Sequence, residues 1–268
     1  MAQVVRLNLD QLRESGLTGC RRAAAFAGLV VNAARDANFR SIELAPFTHL
    51  EIIPVEKFTG DLLHTCKSEF ERWGLRNCVR ELFERHSLFM DAVHRNILLV
   101  EQVKSGVTQK AAVEAQRQFA NRTSIADKSK WLSKEFDVQS QRPEYLSAIN
   151  LARVCITHRG SIVGEEDLNS GKHLILRWFA FEEVIVLPDG KELNLWASEG
   201  HVFDGESPIA LKFLEKELRF EVGQTFDLGP REVQELVIYF TNEVKSLVVS
   251  LADFMRKRGA ELESPRQG

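Results

Sequence analysis

The strongest constraint on the fold is a helical spacing of apolar residues that persists over two long stretches. Apolar side chains return every three or four residues between Glu69 and Lys104, and again between Pro230 and Gly259. On an α-helix this spacing forms a stripe along one side, which is stable only when it is buried against another element. Proline suits the first turn of the later helix, and glycine suits its end. The sequence therefore predicts two long amphipathic helices, the earlier one with a kink near Gly74.

Shorter patterns complete the chain. The region from His173 to Trp196 is rich in strand-forming residues, and its Pro188-Asp189-Gly190 sequence predicts a turn, so we expect a β-hairpin there. A short extended piece is expected over 41–56 and a second short β-like segment over 218–228, just before the last helix. Further helices are predicted over Cys20–Ala37, 108–122, 124–136 and from Pro143 to Gly160, where glycine can form a left-handed C-cap.

These elements predict a mainly α fold, a helical bundle with a small β-hairpin inserted before the C-terminal helix. We expect a single domain over 1–268, with an N-terminal helical part over 1–142. The motif helix, the hairpin and the C-terminal helix follow over 143–260. A chain of 268 residues with 44% hydrophobic content is large enough to bury a sizeable core.

Composition narrows the classes of function. The formal net charge of -3 excludes a globally basic nucleic-acid binder, so any contact with RNA would use a local patch. No apolar run approaches the length of a membrane span, and the N-terminus lacks the pattern of a signal peptide. The four cysteines have no Cys-x-x-Cys spacing, and the histidines do not fall at zinc-ligand spacing with them. We expect a cytoplasmic protein without a metal site, a cofactor or membrane contact.

The stretch "NLARVCITHRGSIVGEED", Asn150 to Asp167, places a histidine five residues after an arginine near the predicted helix end. One side of this helix is a core stripe of apolar residues, Tyr145, Ala148, Ile149, Ala152, Cys155 and Ile156. The opposite side is partly apolar and carries Ser147, Leu151, Val154 and His158. A helix that is apolar on two sides is either central in the fold or packed against a second subunit. Arg153 and His158 can converge only at the helix end or across a symmetric dimer.

This motif, followed by a β-hairpin and a long final helix, resembles the HEPN superfamily (higher eukaryotes and prokaryotes nucleotide-binding domains). The resemblance covers roughly Tyr145 to Arg258 and implies a metal-independent endoribonuclease or RNA-binding protein that acts as a homodimer. It implies that His158 is the general acid and base and that Arg153 holds the scissile phosphate. Asn150 and Arg159, beside them in the sequence, are candidates for binding substrate. Such proteins occur in toxin or antiviral defence systems, so an antitoxin or defence-system protein is an expected partner.

One feature of the motif leaves an alternative open. The residue after the motif arginine is often Asn in active HEPN proteins, whereas here it is Val154, which shares a face with His158. The second hypothesis is therefore a catalytically inactive helical interaction module that dimerises through the same face. His158 would then be a helix-end histidine near the last carbonyl groups. Arg159 is interpreted either as a cation at the helix C-terminus or as a phosphate contact.

Other candidates have simpler interpretations. His86, which follows Arg80 at similar spacing, is predicted to be a core histidine with satisfied hydrogen bonds. The basic residues of 110–134 are typical of a solvated face, with an RNA-backbone contact as the alternative. Glu165, Glu166 and Asp167 are expected in a solvated loop or at the cap of a short turn. Tryptophans 178 and 196 are predicted to pack in the core or across strands.

Overall fold

The computed structural model describes residues 6–38, 60–122, 124–187, 189–195 and 208–262. This part of the chain is mostly helical and also contains a small three-stranded antiparallel sheet. Its helices are α1 (Leu9–Arg35), α2 (Gly60–Lys104), α3 (Gln109–Ala120), α4 (Ile125–Phe136), α5 (Glu144–His158) and α6 (Pro230–Lys257). The predicted segments over 41–56 and at Pro188 and Trp196 lie outside the described residues.

The three long helices α1, α2 and α6 pack on one another and form the centre of the core. The predicted apolar stripe of α6 is confirmed, since Val233, Leu236, Phe240, Val244, Leu247 and Leu251 are all buried. The rings of Phe83 on α2 and Phe240 on α6 meet edge to face, with their centroids 5.4 Å apart. α1 begins earlier than predicted, because the side chain of Asn8 caps its N-terminus by accepting a hydrogen bond from the Gln11 amide.

α2 is helical without a break through Gly74, where the sequence suggested a kink. The glycine is there because α1 passes closely: a Cβ at this position would overlap the γ-carbons of Val30. Gly16 on α1 has the same role, since a Cβ there would lie 2.8 Å from atoms of Phe89 and Val244. These glycines therefore mark close helix–helix contacts and do not mark flexible points.

The sheet has the order β3-β2-β4, with β2 (His173–Val186) in the centre, β3 (Glu192–Asn194) on one side and β4 (Ile209–Glu221) on the other. The predicted hairpin is confirmed by the β2–β3 pairing, with Gly190 at a positive φ of 81° in its turn. The sheet is larger than a hairpin, however, because β4 pairs with β2 from His173–Glu221 to Ile185–Ile209. The sequence indicated only the end of β4.

The short strands β1 (Arg6–Leu7) and β5 (Glu261–Leu262) pair in parallel and join the two ends of the described chain. None of the helices in the described ranges combines the length and the apolar character of a membrane span.

The sheet packs on α5 and α6. Trp178 of β2 is fully buried, as predicted, and its indole Nε1 donates a hydrogen bond of 3.1 Å to the carboxylate of Glu235 on α6. Glu235 is also paired with Lys216 of β4 and Arg231 of α6. This buried polar contact fixes β2 against α6, and α5 lies between β2 on one side and α2 and α4 on the other.

Candidate functional site

The motif helix α5 is held by one face and exposes another. Its predicted core stripe is confirmed, since Tyr145, Ile149, Ala152 and Cys155 are buried, while Ala148 and Ile156 are partly buried. The opposite face lies at the surface: Ser147 and His158 are exposed, and Leu151 and Val154 are half-buried. After His158 the helix ends at Arg159, and Gly160 has a positive φ of 59°, as its role in the C-cap requires.

Arg153 and Asn150 line a cavity of about 290 Å³ between α5, α2 and the start of α4. We call it the α2–α5 cavity. The other residues that line it are Phe83, Glu84, Ser87, Leu88 and Ile125. The Oδ1 atom of Asn150 is buried and has no hydrogen-bond partner among the described residues. A buried amide oxygen without a donor is uncommon in folded proteins, so Asn150 adds an unsatisfied polar group next to the α2–α5 cavity.

The Arg153 guanidinium forms no ion pair and no ring contact with any residue that the structure describes. Every other partly buried arginine side chain in the described ranges has such a contact: Arg13, Arg76 and Arg159 pair with carboxylates, and Arg122 lies over the ring of Trp131. An arginine that is half withdrawn from water without a partner carries uncompensated positive charge. The α2–α5 cavity is therefore suited to an anion.

His158 does not line this cavity. It follows Arg153 by five positions, which places the two side chains about 140° apart around an ideal helix. The imidazole is exposed at the end of α5 and contacts no acidic group in the described ranges. Within one chain the two motif residues therefore lie apart. The sequence indicated that they can converge only at the helix end or across a dimer, and the helix end does not bring them together.

Arg159, the second predicted substrate-binding residue, has a structural role that the sequence did not indicate. Its guanidinium pairs with both oxygens of Asp167, which is completely buried, and with Glu166 at 3.1 Å. Asp167 also accepts a hydrogen bond of 2.9 Å from the Gly164 amide. Arg159 thus ties the end of α5 to the short 3₁₀ turn Glu165–Asp167. Its guanidinium is occupied and is not free to hold a phosphate.

The acidic residues after the motif do not form a metal site. In the described ranges no group of histidine, cysteine, aspartate and glutamate side chains could hold a metal ion. The two alternatives expected for these residues are both found. Glu165 and Glu166 are exposed, and Asp167 caps the short turn through its hydrogen bond with the Gly164 amide. The sequence did not indicate that Asp167 is buried and paired with Arg159.

A second cavity, of about 390 Å³, lies on the other side of α5 beside β2 and β4. The Tyr145 hydroxyl donates a hydrogen bond of 2.5 Å to Glu215, and Arg177 pairs with Glu217 at 2.5 Å. Burial, and then the contact with Glu215, raises the pKa of Tyr145 to about 12, so the phenol stays protonated at neutral pH. The charged groups of this cavity are already paired, so it is less suited to a phosphate than the α2–α5 cavity.

The basic residues of 110–134 do not form a continuous surface strip. Lys128 is only 2% exposed and pairs with Asp91 of α2 at 2.7 Å. Arg122 stacks over Trp131, 3.9 Å from the ring centroid. Asp127 and Lys130 are exposed, as expected for a solvated face. Nothing in the sequence distinguishes Lys128 from these charged neighbours, so its burial was not predicted.

His86 lies in the core, as predicted, but its hydrogen bonds are not satisfied. Both ring nitrogens are buried and unpartnered among the described residues, and the ring packs against Phe89 and Phe240. Desolvation, aided by the nearby Lys128 charge, lowers the pKa of His86 to about 3, so the imidazole is neutral. His86 therefore contributes to the core by packing against the two phenylalanine rings.

Comparison of the chain with protein-family models, with curated proteins and with solved structures gives no match. The arguments for function therefore rest on the motif helix, its exposed face and the α2–α5 cavity.

Proposed function

We propose that this protein is a HEPN-like RNA-binding protein and a metal-independent endoribonuclease that acts as a homodimer. The observation that carries the proposal is half-buried Arg153, whose guanidinium is unpaired among the described residues, in a cavity that Asn150 also lines. Among the groups that a protein can offer, a planar guanidinium is well matched to a phosphate. The exposed imidazole of His158 on the same helix supplies a group that can exchange protons near neutral pH.

The proposed reaction needs no metal. His158 of one copy takes the proton of the ribose 2′-hydroxyl while the 2′-oxygen bonds to the adjacent phosphorus. The bond from phosphorus to the 5′-oxygen of the next nucleotide breaks, and a protonated His158 of the second copy returns a proton to that oxygen. Arg153 stabilises the negative charge that collects on the phosphoryl oxygens. Because the nucleophile is the 2′-hydroxyl, the substrate is RNA and not DNA.

A homodimer is part of the proposal because one chain does not place Arg153 beside His158. The outer face of α5, with half-buried Leu151 and Val154, is the surface that we propose for pairing. Because Arg153 lies on the α2 side of the helix, the proposed dimer must also place the mouth of the α2–α5 cavity beside His158 of the other copy. The four cysteines are free thiols, which supports a reducing location such as the cytoplasm, where toxin and antiviral defence ribonucleases act and where an antitoxin or defence-system partner would bind.

A second candidate is a catalytically inactive interaction module that uses the same face. Val154 favours it, since an apolar side chain there contributes to dimer packing but cannot hold substrate. In this case the two copies associate through α5, while Arg153 and His158 have no part in chemistry.

One experiment separates the two. Purified wild type, Arg153→Ala and His158→Ala are incubated with mixed RNA in excess EDTA, with Arg95→Ala and His64→Ala as controls at exposed positions of α2. For the ribonuclease, cleavage persists in EDTA and falls by about 10²-fold or more in both motif variants, because each removes a transition-state contact. The controls retain wild-type activity. Identical behaviour of all five proteins would exclude the ribonuclease, and light scattering would then test whether the dimer remains.

A further inference from the structure

The α2–α5 cavity contains a third polar group with unused hydrogen-bonding capacity. Ser87, on α2, lines the cavity beside Asn150 and Arg153. Its hydroxyl oxygen accepts a hydrogen bond of 2.8 Å from the Lys128 ammonium, and its hydroxyl hydrogen is donated to no residue in the described ranges. A serine inside a helix commonly donates to the carbonyl of the preceding turn, as Ser68 of the same helix does to His64. Ser87 does not.

Lys128 explains this arrangement. It is buried, with 2% of its surface exposed, and its ammonium group donates to Asp91 at 2.7 Å as well as to Ser87. An ammonium can only donate, so it occupies a lone pair of the serine oxygen and turns the hydroxyl hydrogen away from Lys128. The hydroxyl hydrogen of Ser87 therefore remains available for another acceptor, and Ser87 lines the cavity. The charges of Lys128 and Asp91 offset each other, so the positive charge that faces the cavity is that of Arg153.

The remaining walls indicate the kind of ligand. Glu84 is exposed at the cavity and its carboxylate is near Arg80, at 3.6 Å. Phe83, Leu88 and Ile125 supply an apolar surface beside the polar groups. The volume of about 290 Å³ is many times the roughly 30 Å³ share of one water molecule. A ligand that binds both the polar and the apolar side of the cavity carries an anionic group with hydrogen-bond acceptors. Next to that group it has a part that can pack on apolar side chains.

We propose that Ser87 is a phosphate-binding residue beside Arg153, and that Lys128 is a positioning residue that directs the Ser87 hydroxyl. This inference rests on the proposed function to the extent that it identifies the bound phosphate as part of an RNA strand. The ligand chemistry is a phosphate group with an attached ring, which is present in an RNA strand, while free phosphate shares the anionic part. Neither Ser87 nor Lys128 belongs to the motif on α5, so this assignment extends the site to a second helix.

Binding of a labelled single-stranded RNA pentamer to the full-length protein tests this inference by fluorescence anisotropy at several salt concentrations. Ser87→Ala is expected to weaken binding about tenfold, because it removes a hydrogen bond to a charged group. Ser87→Thr, which keeps the hydroxyl, restores most of the affinity, and Ser68→Ala on the same helix leaves it unchanged. Arg153→Gln lowers the slope of log affinity against log salt by about 0.7, the effect of one lost phosphate contact. Ser87→Ala leaves this slope unchanged, since no charge is removed.

The role of Lys128 has its own readout. In the double variant Lys128→Met with Asp91→Leu the buried pair is replaced by apolar side chains, which avoids an unpaired charge. If Lys128 directs the hydroxyl, adding Ser87→Ala to this double variant causes little further loss of RNA affinity. An equal tenfold loss in both backgrounds would contradict the positioning role. If the double variant does not fold, the Ser87 variants alone still decide whether Ser87 binds phosphate.

Calorimetric titration with inorganic phosphate separates the two sources of the ligand and the two proposals. Ser87-dependent binding of phosphate without RNA binding would support the site and contradict the proposed function. Loss of RNA binding in Arg153→Gln, with wild-type affinity in Ser87→Ala, would overturn the inference on Ser87 and leave the proposed function standing. Wild-type affinity for both ligands in every variant would contradict both.

Discussion

Gly74 and Gly28 are both glycines inside long helices, yet their surroundings differ. At Gly74 of α2 an added Cβ would overlap the γ-carbons of Val30 on α1. At Gly28 of α1 the same atom would meet nothing within 4 Å. The effect of one methyl group on stability therefore depends on the distance to the neighbouring helix and not on the residue type.

We expect Gly74→Ala to lower the free energy of unfolding by about 1–3 kcal/mol, because α1 and α2 must move apart to admit the methyl group. Gly28→Ala, the matched control, should raise it by about 0.4–1 kcal/mol, since alanine favours the helix and reduces the entropy of the unfolded chain. Urea unfolding followed by circular dichroism measures both. Equal changes in the two variants would show that α1 and α2 do not approach as closely as described.

At Arg153 the sequence and the packing contribute different information. The motif singled out this residue, but its lack of a partner follows from which carboxylates the fold places elsewhere. Arg159, six residues further on, was an equally reasonable phosphate ligand in sequence. The fold brings the buried Asp167 to it, which removes it from the candidate site.

At the scale of one element, the end of α5 depends on that same ion pair. Arg159 is half-buried, whereas Asp167 is fully buried and has no other cation near it in the described part of the chain. Arg159→Met should therefore lower the free energy of unfolding by about 3–5 kcal/mol, because it leaves a buried carboxylate without compensation. Arg256→Met, which breaks a pair with exposed Asp253, should cost less than about 1 kcal/mol.

Thermal and urea unfolding of these two variants give the comparison. Adding Asp167→Leu to Arg159→Met should recover part of the loss, since the uncompensated charge is removed. A loss for Arg159→Met that is no larger than that for Arg256→Met would mean that Asp167 is hydrated, and that this contact does not hold the end of the motif helix.

Strand β4 shows the limit of local pattern for a whole element. Its sequence, "IALKFLEKELRFE", mixes charged and apolar residues without a clean alternation, and its first half is largely exposed. It is a strand because β2 supplies hydrogen bonds along its length and cross-strand partners such as Arg177 for Glu217. The hairpin β2–β3 was predictable because its signal, a turn between β-rich segments, lies within a short stretch of chain.

At the scale of the whole molecule, stability depends on pH through groups that folding removes from water. Glu243 of α6 is buried beside Ser140 and the backbone of Arg142, and its Oε2 atom has no partner in the described ranges. Desolvation, reinforced by the nearby Glu144 carboxylate, raises the pKa of Glu243 to about 7. The folded protein therefore holds this proton more tightly than the unfolded chain does.

A carboxyl group whose folded pKa is raised contributes stability that is complete below its unfolded value, near 4.5. This contribution is lost as the pH rises to about 7. Relative to wild type, Glu243→Gln should gain unfolding free energy between these pH values, by on the order of 3 kcal/mol at pH 8. His86 acts in the opposite sense, because its folded pKa is lowered to about 3. The free energy of unfolding is measured against pH for wild type and for Glu243→Gln, and the difference between the two proteins isolates Glu243. A difference that does not vary with pH would contradict a raised pKa for this carboxyl group.

The sequence alone determined the helical class, the apolar stripes of α2, α5 and α6, and the β2–β3 hairpin. Each of these is encoded by the period of neighbouring residues, which is a local property. Only the tertiary structure decided that Gly74 is a helix contact, that β4 completes the sheet and that Lys128 is buried. It also decided that Arg159 is paired while Arg153 and Ser87 are left open beside one cavity. These outcomes depend on partners distant in sequence, and no local period carries that information.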